Sequence, residues 1–302
     1  MNLKGKNLRV LVLDTTTQKF HVVGMATNCS FQQTVNTESG DTKDDIGLAQ
    51  KPVAVSKGWS LNVESLNVTD VAAMLTAIKS MSPFTLAFDE VSTTDNQTPE
   101  GAALQRVGHA YLSDFTAQFN DRAFSTKSLQ FSGTGALTHD TTIQAETISA
   151  GSYTKGESVR LFLSSDNTAA PTAVIAAAKS LSLHISLSLE NSTTKDTADG
   201  DWIVQEPTAL SYDISVGALM SSGETITSHV AGKSFADLET IKDNCQPVKW
   251  KMANVSGANN RTAGAVIVSG SALITQLDAN SPLTDADYSA TLTGYGNYTV
   301  AA

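Results

Sequence analysis

The chain has 302 residues, 41% of them hydrophobic and 17% charged, with a formal net charge of −10. That length suggests two ordinary domains, and the acidic balance argues against a surface built to grip nucleic acid, which needs clustered Lys and Arg. No apolar run approaches the roughly 20 residues needed to span a bilayer, so no membrane partner is expected.

Plentiful β-branched residues, with abundant Ser and Thr, point to a β-rich protein rather than a disordered one. The opening stretch, Met1 to Asp14, holds a short apolar run, Leu8 to Leu13, interrupted by Arg9. It is too short for a secretory segment, and no export signal is expected. After the Gly5 turn the same run reads as a strand buried on both faces. Cys29 to Asn36 then alternates apolar and polar residues, the mark of a strand with one packed face. Between Asn36 and Gly58 lies a Thr-, Asp-, Gly- and Lys-rich segment closed by Pro52, read as a long loop of the kind that is usually functional or disordered.

A third strand follows at Trp59–Val63. Val71, Met74, Leu75 and Ile78 stand at i, i+3, i+4 and i+7, which predicts an amphipathic helix with Thr69 or Asp70 as its cap and Pro83 beyond its end. Phe84–Phe88 is the next strand. The half closes on Leu129–Gly135, whose Gly133-Thr134-Gly135 supplies a turn or bulge and, with no suitable helix after it, no phosphate cradle.

The second half repeats this order. Val159–Leu163 matches the opening strand, and Leu181–Leu189 matches the alternating one. Glu38 and Lys43 recur as Glu190 and Lys195, each displaced by 152 positions (190 − 38 and 195 − 43). A polar segment from Asn191 to Pro207 is followed by a strand at Leu210–Ile214, aligned so that Leu210 stands near Trp59. Phe235, Leu238 and Ile241 form a helix stripe capped by Ser234 and stopped by Pro247. Val248–Met252 and a closing Gly294-Tyr295-Gly296 complete the pattern. Self-similarity at half the chain length is what tandem duplication produces. The expected fold is mainly β: two tandem β-sandwich or split-barrel modules of antiparallel strands, each with one flanking α-helix, over residues 1–145 and 146–302.

Catalytic and metal-binding patterns are missing from the sequence. There is no Gly-x-Ser-x-Gly elbow, His-Glu-x-x-His, Walker loop or dinucleotide fingerprint, so no enzyme activity and no cofactor are expected. Asp41, Asp44 and Asp45 lack the EF-hand spacing, and no zinc pattern exists, so no metal is expected. Cys29 and Cys245 occupy non-equivalent places and read as two reduced thiols. His184, whose counterpart is Gln32, reads as a surface histidine.

The ordered set is similar to the major tail (tail tube) proteins of long-tailed bacteriophages. It comprises the Ser-Phe…Glu-Ser…Thr-Lys-Asp strand and loop, Trp59-Ser60-Leu61-Asn62-Val63, the lone helix before Phe84, and the closing Phe131-Ser132-Gly133-Thr134-Gly135. The first module, Leu8 to Thr138, carries the likeness better than the second. In the second, Leu210 takes the place of the Trp and Tyr295 that of Thr134. The resemblance implies a structural virion protein, made in the host cytoplasm and placed in the virion tail. Copies would self-assemble into stacked rings of six modules, and DNA would pass through the lumen without specific binding. Two modules per chain imply trimeric rings with pseudo-sixfold symmetry. Tape-measure, tail terminator and baseplate proteins are the implied partners. Thr42, Lys43, Asp44, Thr194, Lys195 and Asp196 are the implied inter-ring contacts. The alternative reading is a secreted or surface two-domain β-sandwich binding module, an adhesin or carbohydrate binder. It predicts exposed aromatics on one face.

Overall fold

The computed structural model describes residues 5–14, 17–42, 50–66, 71–94, 98, 105–139, 153–195, 200–220, 232–256, 262–282 and 285–301. The first half comprises strands β1 (Leu8–Asp14), β2 (Lys19–Val22), β3 (Ala26–Ser39) and β4 (Pro52–Ser65), helix α1 (Val71–Lys79), then β5 (Phe84–Glu90), β6 (Arg106–Asn120) and β7 (Thr126–His139). The second comprises β8 (Val159–Leu163), β9 (Ala173–Val174), β10 (Ala178–Asn191), β11 (Gln205–Leu219), helix α2 (Phe235–Asp243), β12 (Val248–Ser256), β13 (Thr262–Asn280), β14 (Asp287–Gly294) and a short β15 (Thr299–Val300). The fold is mainly β, and the named strands pair antiparallel.

Strand neighbours follow one order twice. The first half reads β2-β1-β5-β6-β7-β4-β3, the second β9-β8-β12-β13-β14-β11-β10. Three bulges recur as well. The extra residue Thr27 in β3 reappears as Lys179 in β10, and the extra residue Val55 in β4 reappears as Thr208 in β11. The bulge at Leu112/Asp114 in β6 reappears at Ile274/Gln276 in β13. At that last bulge the skipped residue is a hydroxyl side chain bonded across to the neighbouring strand: Ser113 to the Gln130 carbonyl at 3.0 Å, Thr275 to the Thr291 carbonyl at 3.3 Å. A bulge bends and twists a strand, so its recurrence places a bend at corresponding points of the two halves.

The alternation seen in sequence becomes burial. Leu181, Leu183, Ile185 and Leu187 of β10 point inward, as do Tyr212, Ile214 and Val216 of β11. The helical stripes behave likewise, burying Val71, Met74, Leu75 and Ile78 of α1 and Leu238 and Ile241 of α2. Ser234 caps α2 through a capping box with Asp237, which satisfies two otherwise unpaired amide donors. The cap expected for α1 lies outside the described residues. One apolar core draws on both halves. The buried Tyr298 phenol, near the end of the chain, donates to the Leu75 carbonyl of α1 at 2.8 Å.

Two expectations are corrected. Most of the described residues between Asn36 and Gly58 are strand, not loop: β3 continues to Ser39 and β4 starts at Pro52, so that the pair forms a long hairpin arm. Pro52 begins a strand at an end where its missing N–H is tolerated. Second, the counterpart of Trp59 is Tyr212, not Leu210. Leu61 pairs with Phe131 and Ile214 with Leu292, a displacement of 153 along this strand (214 − 61). Trp59 lies beneath Gly108 and Gly133, and Tyr212 lies beneath Gly270 and Gly294. A shift by two keeps the alternating pattern intact, so hydropathy alone cannot distinguish the two alignments.

A Cβ on Gly133 would overlap the Trp59 indole, and one on Gly294 would lie 2.6 Å from the Tyr212 ring. Gly133→Ala and Gly294→Ala should therefore each cost about 1–3 kcal/mol by overpacking, read as a lower denaturant midpoint at unchanged slope. The buried Tyr288 hydroxyl has no hydrogen-bond partner among the described residues, and burial pushes its phenol up to about 12. A pKa raised on folding stabilises below the unfolded value of about 10 and loses that contribution as pH rises through the folded value. Tyr288→Phe should leave stability at pH 7 unchanged or raised and flatten the alkaline loss between pH ~10 and ~12, as followed by denaturant unfolding across pH.

Candidate functional site

The two halves are joined edge to edge. The N-terminal part of β6, from Arg106 to Ala110, pairs with β5. Its C-terminal part, Asp114 to Asn120, pairs with β10 of the other half, placing Ile185 opposite Phe115 and Leu183 opposite Ala117. These four side chains are buried. Beside them, His184 Nε2 lies 2.6 Å from the Asp114 carboxylate, with both side chains partly exposed. The expected surface histidine is thus a tie across the junction.

A second contact supports the first. The segment Asp201–Gln205, which leads into β11, lies against β4 and the end of β7. The Lys57 N–H donates to the Asp201 carbonyl at 2.7 Å and the Ile203 N–H to the Lys57 carbonyl at 2.9 Å. The Gly135 N–H donates to the Ile203 carbonyl at 2.8 Å, from a residue whose φ of +71° suits glycine. Gln205 is held from both ends: its N–H donates to Thr134 Oγ1 at 2.8 Å, and its side-chain oxygen accepts from Ser132 Oγ at 2.7 Å. Lys57 Nζ reaches the Asp201 carboxylate at 3.3 Å.

Each half of this junction has an unfilled counterpart elsewhere in the chain. β3, which corresponds to β10, pairs with β4 alone among the described strands. Residues Thr275–Asn280 of β13, which correspond to the paired end of β6, face β14 on one side and no described strand on the other. Burial records the difference. Residues 181, 183, 185 and 187 of β10 are buried, whereas in β3 Cys29 and Phe31 are half-buried and Gln33 and Val35 are exposed. Likewise Phe115 and Ala117 are buried, whereas Leu277 is half-buried and Ala279 exposed. An open strand edge is a row of unpaired N–H and C=O groups and a template for another chain.

Of the sequence-derived contact residues, Thr42 is exposed just past β3, and Thr194 and Lys195 are exposed at the tip of the β10–β11 hairpin. Lys43, Asp44 and Asp196 lie outside the described residues. Each described set therefore sits at the end of its own hairpin. The junction itself was missed in sequence, where His184 next to Asp114 leaves no spacing signal across 70 positions. Of the Asp41 cluster, Asp41 serves its own hairpin: its carboxylate accepts from the Lys51 N–H at 2.8 Å and from Ser39 Oγ at 2.9 Å. No group of three or more potential metal ligands occurs among the described residues. No described helix is long and apolar enough to cross a membrane. Trp59 and Trp250 are core residues, and Trp202 is half-buried.

No protein-family model matches the sequence, and no curated protein matches it. Among solved structures, the chain is similar to one from the tail of an empty gene transfer agent particle refined with C6 helical symmetry. The identity is 13% and the TM-score 0.39, over 46% of this chain and 99% of that one. A chain from the virion of a native gene transfer agent particle aligns at 16% identity and a TM-score of 0.33, over 49% of this chain and 99% of that one. Likenesses this slight leave function to be argued from the chain's own edges.

His184→Ala and Asp114→Ala should each weaken the junction. Their double-mutant cycle on denaturant unfolding should give a coupling of about 0.5–1 kcal/mol, the scale of a partly exposed hydrogen-bonded pair.

Proposed function

We propose that the chain is a non-catalytic structural subunit of a virion tail, built from two copies of one module (residues 1–145 and 146–302), that self-assembles into stacked rings forming a tail tube for DNA. The observation that carries this reading is the internal β6·β10 junction together with its two unfilled counterparts. A junction already made once within the chain is left half-made at β3 and half-made at β13, and the two halves are complementary. Joining β3 of one copy to β13 of the next repeats the internal contact and leaves neither edge open on closure. A heterologous contact of this kind makes rings when its rotation closes. Three chains then supply six modules.

The internal register sets the external one. β3 is displaced from β10 by 152 positions (185 − 33) and β6 from β13 by 162 (277 − 115), so Gln33 falls opposite Leu277 and Phe31 opposite Ala279. Gln32 and Gln276 then take the places of His184 and Asp114. Two amides each donate and accept, so that pair needs no charge. The net charge of −10 suits a wall that DNA slides along without sticking. Tape-measure, terminator and baseplate proteins would be the partners at the ends of such a tube, and the exposed hairpin tips at Thr42, Thr194 and Lys195 would meet the adjacent ring.

Mass photometry across a concentration series, with negative-stain microscopy, tests this reading. Closed three-chain rings or hollow tubes are expected. A chain that stays monomeric at every concentration overturns it. Placing a proline at Gln33 or Leu277 should abolish rings while leaving the monomer folded, since each is an edge position whose substitution removes an outward donor or distorts the strand.

A further inference from the structure

The second part of the internal junction also has a counterpart unfilled among the described residues, and its chemistry differs. We propose that residues Gln50–Val53 of one copy seat against Thr293, Tyr295 and Gly296 of a neighbouring copy in the same ring. This contact rests on the ring reading above and adds to it a second interface, within the ring rather than between rings.

The donor segment is fixed by hairpin geometry. The Gly40 N–H donates to the Lys51 carbonyl at 2.8 Å, and the Ser192 N–H donates to the Val204 carbonyl at 2.8 Å. These are the same bond in the two hairpins, so Lys51 stands where Val204 does, Gln50 where Ile203 does and Pro52 where Gln205 does. The receiving corner is fixed as well. Gly296 has a φ of +73° against +71° for Gly135, and the paired rows Asp213/Thr293 and Ser60/Ser132 put Thr293 at the place of Ser132 and Tyr295 at that of Thr134. The Gly296 N–H is then placed to donate to the Gln50 carbonyl, as Gly135 donates to Ile203.

Both sides of the contact have changed character together. At the internal junction Thr134 accepts from the Gln205 N–H, a polar pair. At the open one the corresponding residues are Tyr295 and Pro52. Proline has no N–H to give, and Tyr295 carries no oxygen at the Thr134 position. In this contact a flat ring against a proline face replaces that hydrogen bond. Exposure agrees: Tyr295 is 58% exposed, and Val35, Val53 and Val55 of the arm are 52%, 54% and 44% exposed. The other exposed large apolar side chains among the described residues, Phe124 and Tyr153, already cover one another with ring centroids 4.8 Å apart. Tyrosine is enriched among side chains that anchor interfaces.

The test replaces Tyr295 with the photo-crosslinking analogue p-benzoylphenylalanine in the full chain, mixes isotopically light and heavy copies under conditions where rings form, irradiates, and maps crosslinked peptides by mass spectrometry. Mixed light–heavy crosslinks from position 295 to residues 50–53 are expected. Rings that form but crosslink elsewhere overturn this contact and leave the ring reading standing. If no rings form, both fall. In parallel, Tyr295→Asp should raise the concentration for half-assembly about tenfold or more, with Tyr295→Phe close to the unaltered chain. Thermal melts of the monomer should be unchanged in both. Rings of Tyr295→Asp that assemble as readily as the unaltered chain overturn the proposal.

Discussion

A strand edge that must be filled is the constraint on which this structure depends. Backbone N–H and C=O groups at a sheet edge either find partners or remain a hazard for uncontrolled pairing. β6 resolves this inside the chain by being longer than its first neighbour. β5 covers only its first few residues, and β10 from the other half takes the remainder. That one pairing turns two like-ordered sheets into a continuous one and draws the apolar faces of both halves into a common core.

The same constraint accounts for where polarity and apolarity are distributed. Where the junction is filled, the inward residues of β10 are Leu, Leu, Ile and Leu, and the flanking tie is His184 on Asp114. Where it is open, β3 carries Cys29, Phe31, Gln33 and Val35, and the positions of the tie are two glutamines. An uncharged amide can stay exposed or be desolvated at less cost than a carboxylate, because desolvating an unpaired charge costs far more. The arm residues Val35, Val53 and Val55 are the exception to that caution. β-branched side chains keep the arm extended at the cost of exposed apolar surface.

Register in each half is locked by an aromatic ring beneath two glycines. Trp59 fills the space under Gly108 and Gly133, and Tyr212 that under Gly270 and Gly294. Trp59 further donates from Nε1 to the Gly135 carbonyl at 3.3 Å, and Tyr212 donates to the Ser271 carbonyl at 2.6 Å. The rings differ in size and in hydrogen-bond partner, yet both lie against the strand that carries the first glycine of the Gly-x-Gly corner, Gly133 in β7 and Gly294 in β14. The corner is therefore positioned from beneath by the core, which lets Gly135 present its N–H to the other half.

The sequence by itself determined the strand character of most segments, both helices, and the recurrence of one order in the two halves. Each of these rests on local periodicity or on short-range chemistry such as the Ser234 cap. Hydropathy left the alignment of Trp59 free by two positions, because a shift of two preserves alternation. It also read the far part of the β3–β4 hairpin as loop, because an exposed arm has no buried face to betray it. Only the tertiary structure decided that Tyr212 answers to Trp59, that His184 meets Asp114, and which strand edges are filled. Those are facts of pairing between residues far apart in sequence, and no local pattern encodes them.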